Sequence, residues 1–91
     1  MRKYKPSHRP DYRYLLLQNE DRLDVEGYLL EFFGISGFGR LEFRAIEKKG
    51  KEELIRVERG MAQEVAGSLL ISKKRIRIEK ISGTILRIKK G

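Results

Sequence analysis

The stretch Tyr12-Arg13-Tyr14-Leu15-Leu16-Leu17-Gln18 decides how the rest of the chain is read. It has the length of a strand, and its three consecutive leucines send apolar groups to both sides of an extended backbone. A strand that is apolar on both sides belongs in the middle of a sheet, with both faces at least partly covered. The surrounding sequence must then supply neighbouring strands and a covering layer.

Towards the C-terminus, Asp24 to Phe33 reads as a helix. Val25, Tyr28, Leu29, Phe32 and Phe33 fall on one stripe at helical spacing, Asp24 suits the N-cap, and Gly34 suits the end. Gly34 to Gly39 (GISGFG) reads as a glycine-rich loop. Arg40 to Ile46 then alternates, with Leu41, Phe43 and Ala45 on one side and Glu42 and Arg44 on the other, which predicts a strand with one buried face. Lys48-Lys49-Gly50 makes a turn, and Glu53 to Glu58 returns with Ile55 and Val57 inward, completing a hairpin. A second helix is predicted from Met61 to Ile71, with Met61, Ala62, Val65, Ala66, Leu69 and Leu70 forming its apolar face. Arg75 to Glu79 is a strand with Ile76 and Ile78 inward and Arg75 and Arg77 outward. Its alternation breaks near Ser82-Gly83, where a bulge or turn is expected, and Thr84 to Lys89 resumes as extended chain.

The resulting order, β-α-β-β-α-β, predicts an α+β fold of the ferredoxin-like, RRM-like kind: two helices on one face of a four-stranded antiparallel sheet. The 91 residues suit one domain. Residues 1–11, polar and basic with Pro6 and Pro10, read as a flexible tail. Residues 12–91 read as a single domain with a basic C-terminal extension.

Composition narrows the chemistry. The absence of cysteine excludes disulfides, thiolate metal sites and cysteine nucleophiles. No apolar run has membrane-spanning length and no apolar core follows the charged N-terminus, so a cytoplasmic protein without membrane association is expected. The one histidine, His8, lies in the tail, where nothing would hold a general base near its substrate. The acidic cluster Glu20, Asp21, Asp24 and Glu26 sits where a helix starts and reads as capping rather than as a metal site. Gly34-Ile35-Ser36-Gly37 matches the GxxG of backbone-clamping KH loops, but it joins a helix to a strand instead of two helices. A helix C-cap followed by a turn accounts for it, though its amides and Ser36 could touch a phosphate. A small phosphatase of ferredoxin-like fold would need an Arg and an Asn fixed around a phosphate. Asn19 is the only asparagine, and no arginine is evidently paired with it.

The basic residues carry the functional signal. Lys plus Arg number 21 against 13 Asp plus Glu, a formal net charge of +8. Between Lys73 and Gly91 stand Lys73, Lys74, Arg75, Arg77, Lys80, Arg87, Lys89 and Lys90, against the single acid Glu79. An ordinary solvated surface would mix the signs. With Arg13, Arg44 and Arg56 on other strands, the open sheet face is expected to present a plane of cations, which is what phosphate-backbone binding requires. Glu53 to Glu58 has no aromatic residue, and Tyr12 and Tyr14 are the only aromatics on a central strand. Contacts to phosphates and RNA shape are therefore favoured over base-by-base reading.

Three segments, Arg13-Tyr14-Leu15-Leu16-Leu17, Ile55-Arg56-Val57-Glu58-Arg59 leading into Glu64-Val65, and Ile81-Ser82-Gly83-Thr84-Ile85, resemble the archaeal ribonuclease P protein component 2 family, which has a eukaryotic counterpart. The resemblance runs from about Arg13 to Lys90. It implies an RRM-like, non-catalytic subunit of the ribonucleoprotein endonuclease that removes the 5′ leader from precursor tRNA. The RNA and its Mg2+ ions would perform the hydrolysis, and the protein itself would bind no cofactor. The implied partners are ribonuclease P RNA, precursor tRNA and the TIM-barrel-like protein component 3, in a heterotetramer. The alternative is another RNA-binding structural protein, associated with the ribosome and without a role in tRNA processing.

Overall fold

A computed structural model describes residues 11–84 of the chain. The elements are β1 (Tyr12–Asn19), α1 (Val25–Leu41), β2 (Arg44–Lys49), β3 (Glu52–Glu58), a single 3-10 turn (Arg59–Met61), α2 (Ala62–Leu70) and β4 (Ile76–Ser82). The sheet order is β2-β3-β1-β4, with every neighbouring pair antiparallel. The protein is thus α+β, with two helices and a four-stranded antiparallel sheet, an arrangement compatible with a ferredoxin-like fold.

Strand β1 is central because it can face apolar groups both ways. Leu15 and Leu17 point to the helices and are fully buried with Ile55 and Val57 of β3, Val25, Leu29 and Leu41 of α1, and Val65 and Leu69 of α2. Leu16 points to the other face, directly opposite Leu54 of β3. The Tyr28 hydroxyl ties the helices together by donating to the Ser68 carbonyl at 2.5 Å. Asp24 caps α1: its side chain accepts from the Gly27 amide at 3.2 Å.

The GISGFG stretch departs from expectation. Gly34 breaks the helical geometry with φ 78°, ψ 171°, but the chain then resumes helical conformation up to Leu41. Packing overrides glycine's poor helix propensity here. Leu41 is fully buried, Phe38 packs on the core, and an added Cβ at the buried Gly37 would stand 3.0 Å from Phe33 Cβ. The strand expected from Arg40 therefore begins only at Arg44, and Leu41 belongs to the helix. Glu42 ends α1 in left-handed conformation, φ 52°. Its carbonyl accepts from Arg56 Nη2 at 2.9 Å, and its carboxylate lies 3.4 Å from the Tyr12 hydroxyl. These contacts offset a conformation that costs a non-glycine residue about 1–2 kcal/mol.

Smaller corrections have local causes. Phe32 and Leu70, assigned to the apolar faces of their helices, are 49% and 68% exposed, whereas Ser68 is buried and donates to the Val65 carbonyl at 2.8 Å. Ala45 is exposed because β2 is an edge strand. β4 ends at Ser82, with Gly83 and Thr84 in a bend where a bulge or turn is expected, and it carries a further bulge at Glu79: Leu16 pairs with Lys80 and Leu17 with Ile78, leaving Glu79 as the extra residue. The tail assigned to residues 1–11, apart from Asp11, and the extended chain assigned beyond Thr84 lie outside the described residues.

Candidate nucleic-acid interface

Strand register sorts the side chains of the open face into rows that cross the sheet. Arg44 pairs with Arg56, Arg56 with Tyr14, and Tyr14 with Ser82. This row runs β2-β3-β1-β4 and spans about 14 Å, three interstrand steps. The next row is Glu47, Leu54, Leu16 and Lys80, and the one beyond it is Lys49, Glu52, Gln18 and Arg77. The first row contains no carboxylate. The middle row is apolar at its centre, with Leu54 only 3% exposed although it faces away from the helices. The third row mixes the signs, with Glu52 and the neutral Gln18 between Lys49 and Arg77.

Arg44 and Arg56 stand directly opposite each other on adjacent strands, a placement that costs roughly 0.2–1 kcal/mol through like-charge repulsion. Arg44 is exposed. Arg56 folds flat over the Tyr12 ring, 3.9 Å from guanidinium carbon to ring centroid, and donates to the Glu42 carbonyl. Its Nε is buried without a hydrogen-bond partner. The nearest acids lie outside the row: Glu42 beside Tyr12, and Glu58, which pairs across from Tyr12 and whose carboxylate rests near Gly60.

The remaining expected cations are distributed differently. Arg13 lies on the helix side of β1, donates to the Tyr12 carbonyl at 3.0 Å and approaches Gly83. Arg75 precedes β4 and is clamped by Asp21: the Asp21 carboxylate accepts from the Arg75 amide at 2.7 Å, from Nε at 3.2 Å and from Nη2 at 3.0 Å. The amide contact, then the guanidinium, hold the Asp21 carboxyl below its ordinary value, and the same bond raises the pKa of Arg75. Arg77 is paired with Glu79 at 2.8 Å, which raises its pKa in turn. Lys73 and Lys74 are exposed in the turn before β4, and Lys80 is half-buried; none has an ion pair among the described residues. Arg87, Lys89 and Lys90 lie outside the described residues. The structure thus brings Arg44 and Arg56 together with Tyr14, and it places Lys73, Lys74 and Arg75 at the opposite end of the strands, where β4 begins beside Asn19.

Asn19 has no part in phosphate binding. Its side chain is fully buried, donates to the Leu23 carbonyl and to Glu53 Oε2, and accepts from the Leu23 amide, each at 2.8 Å. Among the described residues no group of three or more metal-ligating side chains forms a cation site, and no helix is long and apolar enough to cross a membrane. Tyr14 is the residue on this face that charge counting passes over. Its signal was its place on the outward side of a central strand, opposite an arginine.

No family model and no curated protein matches the chain. The family resemblance therefore stands on the three segments quoted above.

Proposed function

We propose that the chain is an RNA-binding, non-catalytic subunit of ribonuclease P, acting in the cytoplasm through the open face of an RRM-like sheet. The carrying observation is the Arg44–Arg56 pair: two cations held opposite each other without a carboxylate in their row. A phosphate brought to this row relieves their repulsion. The Arg56 guanidinium, held flat on the Tyr12 ring, is fixed in place for a charge-assisted contact of this kind. The net charge of +8 adds a long-range attraction to polyanions. The element order and strand order support the RRM-like reading, and the three family-like segments support the assignment to ribonuclease P. Protein component 3 and precursor tRNA are the remaining partners. Mg2+ would be held by the RNA, which performs the hydrolysis.

The test is reconstitution. The protein, added with component 3 to the cognate RNA at low Mg2+, is expected to raise precursor-tRNA cleavage. No stimulation, together with co-purification with ribosomal subunits, would replace this reading with a ribosome-associated structural role.

A further inference from the structure

The two tyrosines on the open face of β1 are not equivalent. Tyr12 is occupied: Arg56 covers its ring at 3.9 Å and its hydroxyl lies against Glu42. Tyr14 is half-buried and has neither a ring contact nor a hydroxyl partner among the described residues. Its neighbours across the sheet are Arg56 on one side and Ser82 on the other, with exposed Arg44 one strand further out. Lys80 stands on the same face in the adjacent row.

An aromatic ring flanked by cations and a hydroxyl matches one chemical object: a nucleotide whose base is out of a duplex. A base in a helix has both faces covered by its neighbours and cannot stack on a side chain. An unpaired base can, and its own phosphate then reaches cations beside the ring. The remainder of the face sets the size of the site. Strand β3 offers Leu54, Arg56 and Glu58 at the facing positions and no second ring, while Tyr12 is already covered. There is room to stack one base and nothing to continue the stack.

We infer that the Arg44–Arg56–Tyr14–Ser82 row is a subsite for a single unpaired nucleotide, with the base on the Tyr14 ring and the phosphate on Arg44 and Arg56. The inference rests on the RNA-binding reading and narrows it: the protein distinguishes RNA with an extruded nucleotide from uninterrupted duplex.

The experiment compares two RNA hairpins of equal length and charge, one fully paired and one with a single-nucleotide bulge carrying 2-aminopurine. Binding is measured for the full chain and for Tyr14→Phe, Tyr14→Leu and Tyr14→Ala. The wild type is expected to prefer the bulged hairpin and to change the 2-aminopurine fluorescence. Tyr14→Phe keeps both properties. Tyr14→Leu keeps the bulk but loses the aromatic face, so its affinity for the bulged hairpin falls about 5- to 160-fold, the range set by one base–aromatic stack. Its affinity for the paired hairpin and its salt slope stay unchanged. Tyr14→Ala behaves likewise, and the paired hairpin serves as the control for folding. Equal affinity of the wild type for both hairpins, or an equal loss for both in Tyr14→Leu, overturns the subsite and leaves the phosphate-binding reading standing. Failure of the wild type to bind either hairpin at low salt overturns both.

Discussion

The two ends of the sheet carry similar basic residues but set their arginines differently. Where β1 ends and β4 begins, Arg75 is gripped by Asp21, Arg77 by Glu79, and Lys51 by Glu20 at 3.1 Å. Where β1 begins, Arg44 and Arg56 face each other with no acid between them, and Arg56 rests on an aromatic ring. The difference shows that a count of cations along a chain does not tell which of them already have a counter-charge. An exposed arginine beside a carboxylate already has its counter-charge, and a phosphate must compete for it. The Arg44–Arg56 pair has no ion pair among the described residues, so a phosphate there would meet both attraction and relief of repulsion.

The largest effect expected on this contrast concerns the ion-paired end as a structural clamp. Asn19 joins the β1–α1 loop to β3 through its contacts with Leu23 and Glu53. Asn19→Ala leaves the Leu23 amide and carbonyl without their side-chain partner in a partly buried site. A loss of about 2–4 kcal/mol is expected, since each stranded buried polar group costs about 1–3 kcal/mol. It should appear as a lower urea midpoint with an unchanged m-value. RNA affinity per folded molecule should hold, because the clamp and the arginine row lie at opposite ends of β1. A matching fall in affinity would merge the two ends into one functional unit.

The second effect separates the two arginine pairs. Arg44→Ala with Arg56→Ala is expected to reduce the slope of log K against log salt by about 1.5, the loss of two phosphate contacts at roughly 0.7–0.9 each. Arg75→Ala with Arg77→Ala exposes two carboxylates and weakens binding through general repulsion, with little change in slope. Salt titrations of both double variants decide the matter. A larger slope change at Arg75 and Arg77 would move the interface to the other end of the sheet.

Much of this architecture is legible in the sequence, and what is not has a common cause. The consecutive Leu15, Leu16 and Leu17 mark a central strand, and the alternation of Ile76 and Ile78 against Arg75 and Arg77 orients β4, because these patterns depend only on neighbours in the chain. The GISGFG segment misleads because glycine's local preference is outweighed by the burial of Leu41 and the close approach of Gly37 to Phe33. The partner of Arg75 is Asp21, 54 residues away, and no local pattern announces it. The pairing of Arg44 with Arg56 depends on the register of β2 against β3, with an irregularity between Ala45 and Glu47 that shifts the residues beyond it. Elements follow from local periodicity, whereas the charge environment of each arginine follows from register and loop closure.

The smallest effect is confined to acid and sharpens what holds the compensated end. The Asp21 carboxyl is lowered from its ordinary value of 3.8 first by the Arg75 backbone amide and then by the guanidinium. A carboxyl whose folded pKa is depressed adds stability above its ordinary pKa. That stability is lost as pH falls through this value towards the depressed one, because the unfolded chain takes up the proton first. Urea midpoints measured from neutral pH down to about pH 2 should therefore converge for wild type and Asp21→Asn at the acid end and separate above about pH 5. Arg75→Ala keeps the amide donor and removes only the side chain, so it should retain most of the acid dependence that Asp21→Asn abolishes. If Arg75→Ala flattens the profile as fully as Asp21→Asn does, the guanidinium is the main anchor of Asp21. The two ends of the sheet would then differ by side-chain pairing alone, without the loop-to-strand backbone contact.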